Sequence, residues 1–313
     1  MVKEYKIYFF SQKKMSSVLN YIEKNPHETQ RLVGLKYEQL EQLIKQANAL
    51  HTEKQKENEA QKVRIINKGG GRKVKLSKRE QILLTLIYLR HLTTFQLLGI
   101  QFGVSESTAN DTFNYWFPVL QKLLPSSLLE QVKKNANDYE IVQELLTDYE
   151  LIVDSAEQPR ARPGEYAEQK KYYSGKKKNH TFKNQITVLP LGQDIVDVIA
   201  GQPGPKSDIT LFRKGKKGFN TGQKFQGDKA YVGEPSIKTP MKKPKKGELT
   251  TSQKEKNKKL ASERIFVEHL IRVIKIFRVA AERFRLNTSK YEQIILTICG
   301  LVRFRIGTLI LPR

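Results

Sequence analysis

The chain has one cysteine, Cys299, in 313 residues. A single thiol excludes an internal disulfide framework and a thiolate metal cluster. The five histidines are scattered and never take the short spacing of a zinc site. No run of about eighteen apolar residues occurs, so the sequence offers no membrane-spanning helix. The start, MVKEYKIYFF, lacks the apolar core and small-residue cleavage site of a secretory signal. A cytoplasmic protein is therefore expected. No internal repeat is visible. Acids are scarce too: 32 Asp and Glu against 56 Lys and Arg leave a net charge of +24. That excess points to a polyanionic partner, nucleic acid first and an anionic membrane surface second. With 38% hydrophobic residues the chain can build real cores, and its length suffices for two domains.

Residues 1–60 are expected to be helical, because Leu32, Leu35, Tyr37, Leu40, Leu43, Ile44 and Ala47 keep a helical period. Gly69, Gly70 and Gly71, followed by Arg72 and Lys73, read as a flexible basic loop. Ser77 with Glu80 three residues on is a capping box, opening a helix with Ile82, Leu83, Leu86, Ile87 and Leu89. Thr93 or Thr94 can cap a second helix containing Phe95, Leu97 and Leu98. Gly103 then makes a turn, and Ser105 caps a third helix that runs to Trp116 and Phe117. Helix, helix, Gly turn and capped helix is the pattern of a helix-turn-helix. Three helices packed for structure alone would share it, and the positive charge favours DNA. In that motif the start of the last helix faces the major groove. Ser107, Thr108 and Asn110 can bond base edges or phosphates there.

A polar helix and linker are expected over residues 125–138, after which the pattern turns to strands. Residues 150–154, ELIVD, form a short apolar run ending in Asp154. Residues 182–189 alternate, 195–200 form a third strand closed by Gly201-Gln202-Pro203-Gly204, and 224–228 end in Asp228. A long helix is expected over 257–286. Open sheet and helices together indicate an α/β or mixed arrangement. Two lysine runs lie between strands. Residues 170–183 hold six lysines and no acid, and 238–259 hold nine lysines. One such run is ordinarily a solvated loop. Several beside acidic strand ends suit a phosphate-tracking surface, and Tyr172, Tyr173 and Phe182 could stack on splayed bases.

Residues 261–275, ASERIFVEHLIRVIK, read as one helix centred on Glu268. Offsets of four and seven place Arg264 and Lys275 on the face of Glu268. On a plain surface these would be an ion-pair ladder, although Arg before Glu is the poorer order against the helix dipole. One aspartate at a strand end is ordinarily a cap or turn residue. Two at strand ends and a glutamate on a following helix can converge beyond one sheet edge, where open α/β sheets bind ligands. Such a set suits phosphodiester cleavage, in which two divalent ions about 3.5–4 Å apart stabilise the attacking and leaving oxygens. Mg²⁺ prefers carboxylate oxygens.

These segments together resemble the DDE-type transposases of bacterial insertion sequences. Ile152-Val153-Asp154-Ser155-Ala156-Glu157 resembles the first-aspartate strand. Tyr173-Ser174-Gly175-Lys176-Lys177-Lys178, with His180 and Lys183, resembles the basic segment after it. Gly227-Asp228-Lys229-Ala230-Tyr231 resembles the second-aspartate strand. Arg264-x3-Glu268-x6-Lys275 matches most of the family's Y-x2-R-x3-E-x6-K signature, with Ala261 where tyrosine is often found. Residues 204–208 resemble a segment with a His-Asp pair, but Ser207 replaces the histidine, and Asp208 is left outside the expected site. The resemblance spans about residues 30–310.

The resemblance implies an α/β chain with a helical DNA-binding domain over residues 1–140, its helix-turn-helix at about 77–120. An RNase H-like mixed-sheet catalytic domain would follow over 141–313. Asp154, Asp228 and Glu268 would be both catalytic and metal-binding, holding two Mg²⁺ ions, with Mn²⁺ able to substitute. DNA contacts are expected from Ser107, Thr108, Asn110, Lys176, Lys177, Lys178, Arg264 and Lys275. The implied partners are double-stranded DNA, as element ends and target, and a second copy in a homodimer or larger complex. No membrane partner is implied, and the site of action would be the nucleoid. The 40 residues from Asp228 to Glu268 leave no room for a large inserted domain.

Three other readings compete. His269-Leu270-Ile271-Arg272 followed by Tyr291 matches the H-x-x-R box of a tyrosine recombinase, which needs no metal and links covalently to DNA. A DNA-binding regulator with an inactive catalytic domain would be expected to have lost an acid. An RNase H-like endonuclease without strand transfer would share the whole site.

Overall fold

The computed structural model describes residues 18–61, 74–244 and 247–311. The basic loop expected at residues 69–73 lies outside them, as do residues 1–17. Among the described residues eight α-helices precede the first strand: α1 (Val18–Lys24), α2 (Thr29–Val33), α3 (Tyr37–Ala60), α4 (Lys78–His91), α5 (Phe95–Phe102), α6 (Glu106–Leu123), α7 (Leu128–Val132) and α8 (Ala136–Leu146). Local rules set their ends. Ser77 Oγ accepts from Glu80 N at 3.2 Å while Glu80 Oε2 accepts from Ser77 N at 2.8 Å, closing the capping box of α4. Thr94, not Thr93, caps α5 by accepting from Leu97 N, and Ser105 caps α6 by accepting from Thr108 N. Between them Gly103 takes φ +67°, the left-handed turn that lets α5 end and α6 leave at an angle. The region carries a helix-turn-helix. The polar stretch over 125–138 holds α7 and the start of α8, two separately capped helices.

The strands are β1 (Glu150–Pro159), β2 (Tyr173–Ser174), β3 (Asn179–Val188), β4 (Ile195–Pro203), β5 (Lys224–Gln226) and β6 (Ile237–Lys238). Four helices interleave: α9 (Tyr166–Tyr172), α10 (Asp208–Gly215), α11 (Thr251–Lys275) and α12 (Tyr291–Ile306). β3 lies antiparallel between β1 and β4, while β5 lies parallel to β1 and β6 parallel to β5. β2 forms a short hairpin with the start of β3. Long antiparallel strands on one side of β1 and short parallel ones on the other make the RNase H-like mixed sheet.

Alternation along β1 divides the sheet's two faces. Ile152 joins the large core shared with α11, α12 and the N-terminal helices, whereas Leu151 and Val153 join a smaller core with Phe212, Phe225 and Tyr231. Asp154 therefore shares the α11 face with Ile152. The large core runs unbroken from Leu40 and Trp116 to Ile298, across residue 140.

Three expectations are corrected. Asp154 is not at a strand end: β1 continues to Pro159, because Ser155 to Pro159 stay in register with Gln185 to Thr181 after the apolar run stops. The long helix covers Thr251–Lys275, not 257–286. Thr250 and Gln253 start it with a capping box, and after Lys275 the chain buries Phe277 and turns. The lysine run over 170–183 is ordered into the end of α9 and the β2–β3 hairpin, with Lys183 buried in β3.

Candidate active site and nucleic-acid interface

β1 carries Asp154, half buried, to the wall of a cleft. Its Oδ1 accepts from the Ser155 N–H at 2.8 Å. Burial raises its carboxyl from the ordinary range to about 6. The Ser155 N–H and the Arg264 charge act against that rise, and the charges of Asp228 and Glu268 add to it. Asp154 is thus a desolvated carboxylate in the field of two others. Asp228 follows β5 by two residues and caps a short turn, its Oδ1 accepting from Ala230 N at 2.8 Å. Gly227 is required there, because a Cβ would come within 2.7 Å of the Tyr231 ring.

Glu268 comes from α11, whose Val267, Leu270, Ile271 and Ile274 are buried at helical spacing. That buried stripe fixes the rotation of the helix and leaves the Glu268 side chain half exposed at the sheet edge. Arg264, one turn earlier, is largely buried, and its Nη2 lies 4.0 Å from Glu268 Oε1. Asp154 and Glu268 line one cleft of about 330 Å³. Asp228 is near enough for its charge to act on Asp154 but does not line that cleft. Among the described residues no three carboxylate, imidazole or thiolate groups stand close enough together to hold one ion as placed.

The cleft's other walls are basic. Lys176 and Lys177, in the β2–β3 turn, line it together with Arg272 and Lys275 of α11. Lys178 sits in the same turn with φ +50° and is not a lining residue. Glu157, Lys183, Asp208 and Arg272, none of them among the expected site residues, also line the cleft. Lys183 Nζ lies 3.1 Å from Asp208 Oδ1, a nearly buried pair. Ser207, in the place of the family's histidine, caps α10 by accepting from Thr210 N.

On α6, Ser107, Thr108 and Asn110 are all exposed. The hydroxyls of Ser107 and Thr108 lie 3.0 and 2.8 Å from Ser105 Oγ, within the cap. Asn110 Oδ1 accepts from Asn114 Nδ2 at 2.9 Å. Tyr291, the nucleophile a tyrosine recombinase would need, is 1% exposed. Its hydroxyl donates to Gln158 Oε1 and accepts from Asn184 Nδ2, so it is a core hydrogen-bonding group.

Residues 153–303 match the family described as DDE superfamily endonuclease, and residues 74–126 match the helix-turn-helix of DDE superfamily endonuclease. The chain is 30% identical over 241 residues to a probable transposase for insertion sequence element IS702 from Microchaete diplosiphon, covering 76% of this chain and 84% of that one. Among solved structures it is similar to a piggyBac transposase synaptic complex with hairpin DNA, at 10% identity and TM-score 0.38, over 85% of this chain and 72% of that one. A Mos1 transposase paired-end complex with the left transposon end matches at 9% identity and TM-score 0.23, over 80% and 83%. Neither of these structures is near enough to place a residue.

Proposed function

The chain belongs to the DDE-type insertion-sequence transposases, and from that premise we propose that it binds the terminal inverted repeats of its element and cuts them in a metal-dependent reaction. The freed 3′-OH then attacks target DNA at the same centre. The observation that carries this reading is the half-buried carboxylate of Asp154 in the field of Asp228 and Glu268, at a cleft walled by Lys176, Lys177, Arg272 and Lys275. A desolvated acid among acids is the arrangement a divalent cation relieves.

Asp154, Asp228 and Glu268 would hold two Mg²⁺ ions, with Mn²⁺ able to substitute. Metal bound there supplies water activation and stabilises charge on the attacking and leaving oxygens. Arg264 orients Glu268, and the lysines and Arg272 neutralise the phosphates of the strand being cut. Lys183 holds Asp208 at the cleft wall. Ser107, Thr108 and Asn110 read the end, so labour divides near residue 140. Two ends must be held at once, which calls for at least a dimer. These events belong to the cytoplasm, at the nucleoid. Among the described residues no helix is long and apolar enough to cross a membrane.

The test is a duplex ending in the terminal repeat, incubated with a target plasmid with and without Mg²⁺. Nicked ends and joined product are expected only with metal. Cleavage without joining would reduce the chain to an endonuclease, and binding without cleavage to a regulator. A covalent protein–DNA adduct formed without metal would overturn the reading.

A further inference from the structure

Residues 281–290 run from the end of β1 to α6. At one end Phe284 N donates to Pro159 O at 2.9 Å, and Phe284 bridges Arg160, so the segment is pinned to the end of β1. Asp154 lies five residues back along that strand, about 17 Å at the usual rise. At the other end Lys290 Nζ donates to Asn114 Oδ1 at 2.6 Å, and Asn114 Nδ2 donates in turn to Asn110 Oδ1 at 2.9 Å. Lys290 is therefore fastened to the exposed face of α6. Burial raises the Tyr88 hydroxyl to about 12, and the positive charge of Arg285 partly opposes that, which places Arg285 beside α4. Tyr88 itself packs on Phe95 and Phe113 of the helix-turn-helix.

Arg283 and Arg285 are exposed along this span. The neighbouring Glu282 lies 3.5 Å from Arg278. Among the described residues no carboxylate pairs with Arg283, Arg285 or Lys290. A run of three cations without a carboxylate partner, between a reading helix and a cutting site, has a polyanion as its natural partner.

We propose that residues 281–290 are a further DNA-contacting element, in which Arg283, Arg285 and Lys290 hold the phosphate backbone between the sequence read by α6 and the bond cut at Asp154. This rests on the proposed function. It adds a surface between the helix-turn-helix and the basic cleft of Lys176, Lys177 and Arg272.

The test uses the full chain with Arg283→Gln, Arg285→Gln and Lys290→Gln combined. Binding to a random-sequence duplex of about three helical turns is followed by anisotropy between about 50 and 200 mM salt. Each lost phosphate contact flattens the slope of log K against log salt by about 0.9, so about 2.7 is expected for the triple variant. Preference for the terminal repeat over random duplex should hold, since phosphates carry no sequence. If the triple variant unfolds, Arg283→Gln with Arg285→Gln removes only exposed side chains and should flatten the slope by about 1.8. An unchanged slope in a folded variant overturns this inference alone. A wild-type chain that binds no duplex at all overturns the proposed function instead.

Discussion

The hydroxyl of Tyr231 lies 3.1 Å from Ser155 Oγ, and Gln185 Nε2 donates to both. Ser155 follows Asp154 in β1, and Tyr231 closes the turn that Asp228 opens. This buried network sets the distance between two candidate metal-binding acids that sit 74 residues apart in sequence. Tyr231→Phe should cost about 1–2 kcal/mol of stability by removing a buried hydrogen-bonding group. It should also raise the Mn²⁺ concentration for half-maximal cleavage about tenfold, as loss of a group supporting metal ligands does. The metal-induced shift in melting temperature reports the same change without DNA. A destabilised variant with unaltered metal dependence would show that Tyr231 only packs.

The three acids are expected to be individually indispensable. Asp154→Asn, Asp228→Asn and Glu268→Gln each remove one anionic group while keeping shape. Each should abolish cleavage and joining while end binding, followed by gel shift, persists. Normal cutting by Glu268→Gln would misassign the third acid. Glu263 on the same helix would then be tested, although it lines a different cleft, with Glu150 and Gln226.

Asp154 also gives a pH dependence in the metal-free protein. Its folded carboxyl is raised to about 6, above its ordinary 3.8. Between those values the folded state binds more protons than the unfolded one, so stability falls as pH rises through that window. Above it the ionised, buried group costs about 3 kcal/mol, since each tenfold change in proton affinity is worth about 1.4 kcal/mol. In chelator, Asp154→Asn should therefore be more stable than wild type at pH 8, with the gap narrowing at pH 5. Urea denaturation at the two pH values measures it. An Asn variant less stable than wild type at pH 8 would mean that Asp154 is not the strained group.

The elements governed by local chemistry are legible in the sequence. Ser77 with Glu80, and Ser105 before α6, act within one helical turn, so the helix-turn-helix can be read from them. Asp154 is legible as a residue but its strand is not. β1 runs past the apolar segment because β3 bonds to it, and that pairing is non-local. In sequence Lys183 is one more lysine in a basic run. Only the fold brings Asp208, 25 residues later, against it. Arg272 reads as part of a recombinase box, and the rotation of α11 on its buried stripe turns it into the cleft. The start of α11 at Thr250 is open to reading from its capping box, beneath a lysine-rich pattern that suggests a loop.

The lysine turn divides in its effect. Lys176 and Lys177 line the cleft and Lys178 does not. Replacing all three with Gln should flatten the salt slope of duplex binding by about 1.8, two contacts at about 0.9 each. Lys178→Gln alone should leave it unmoved. Equal effects from all three single variants would show a diffuse basic surface with no defined strand path.

Arg303 makes a buried ion pair with Asp194, and its other donors fasten the sheet half to the helical half. It is fully buried, with Nε 2.7 Å from Asp194 Oδ1 and Nη2 2.8 Å from Oδ2. The remaining donors reach Pro125 O and Gln131 Oε1, at the junction where the helices hand over to α7, and Thr308 also donates to Asp194. Such a pair gains little over apolar packing when intact, but removing one partner strands a buried charge. Asp194→Asn should thus destabilise the chain by about 3–5 kcal/mol. Asp194→Leu combined with Arg303→Met should recover most of that loss. The large core crosses the same junction, so the two halves should unfold in one transition, seen together by far-UV circular dichroism and Trp116 fluorescence. Two separated transitions in the wild type would show that the junction does not couple them. The spacing between read and cut positions on DNA would then be set by the DNA and not by the protein.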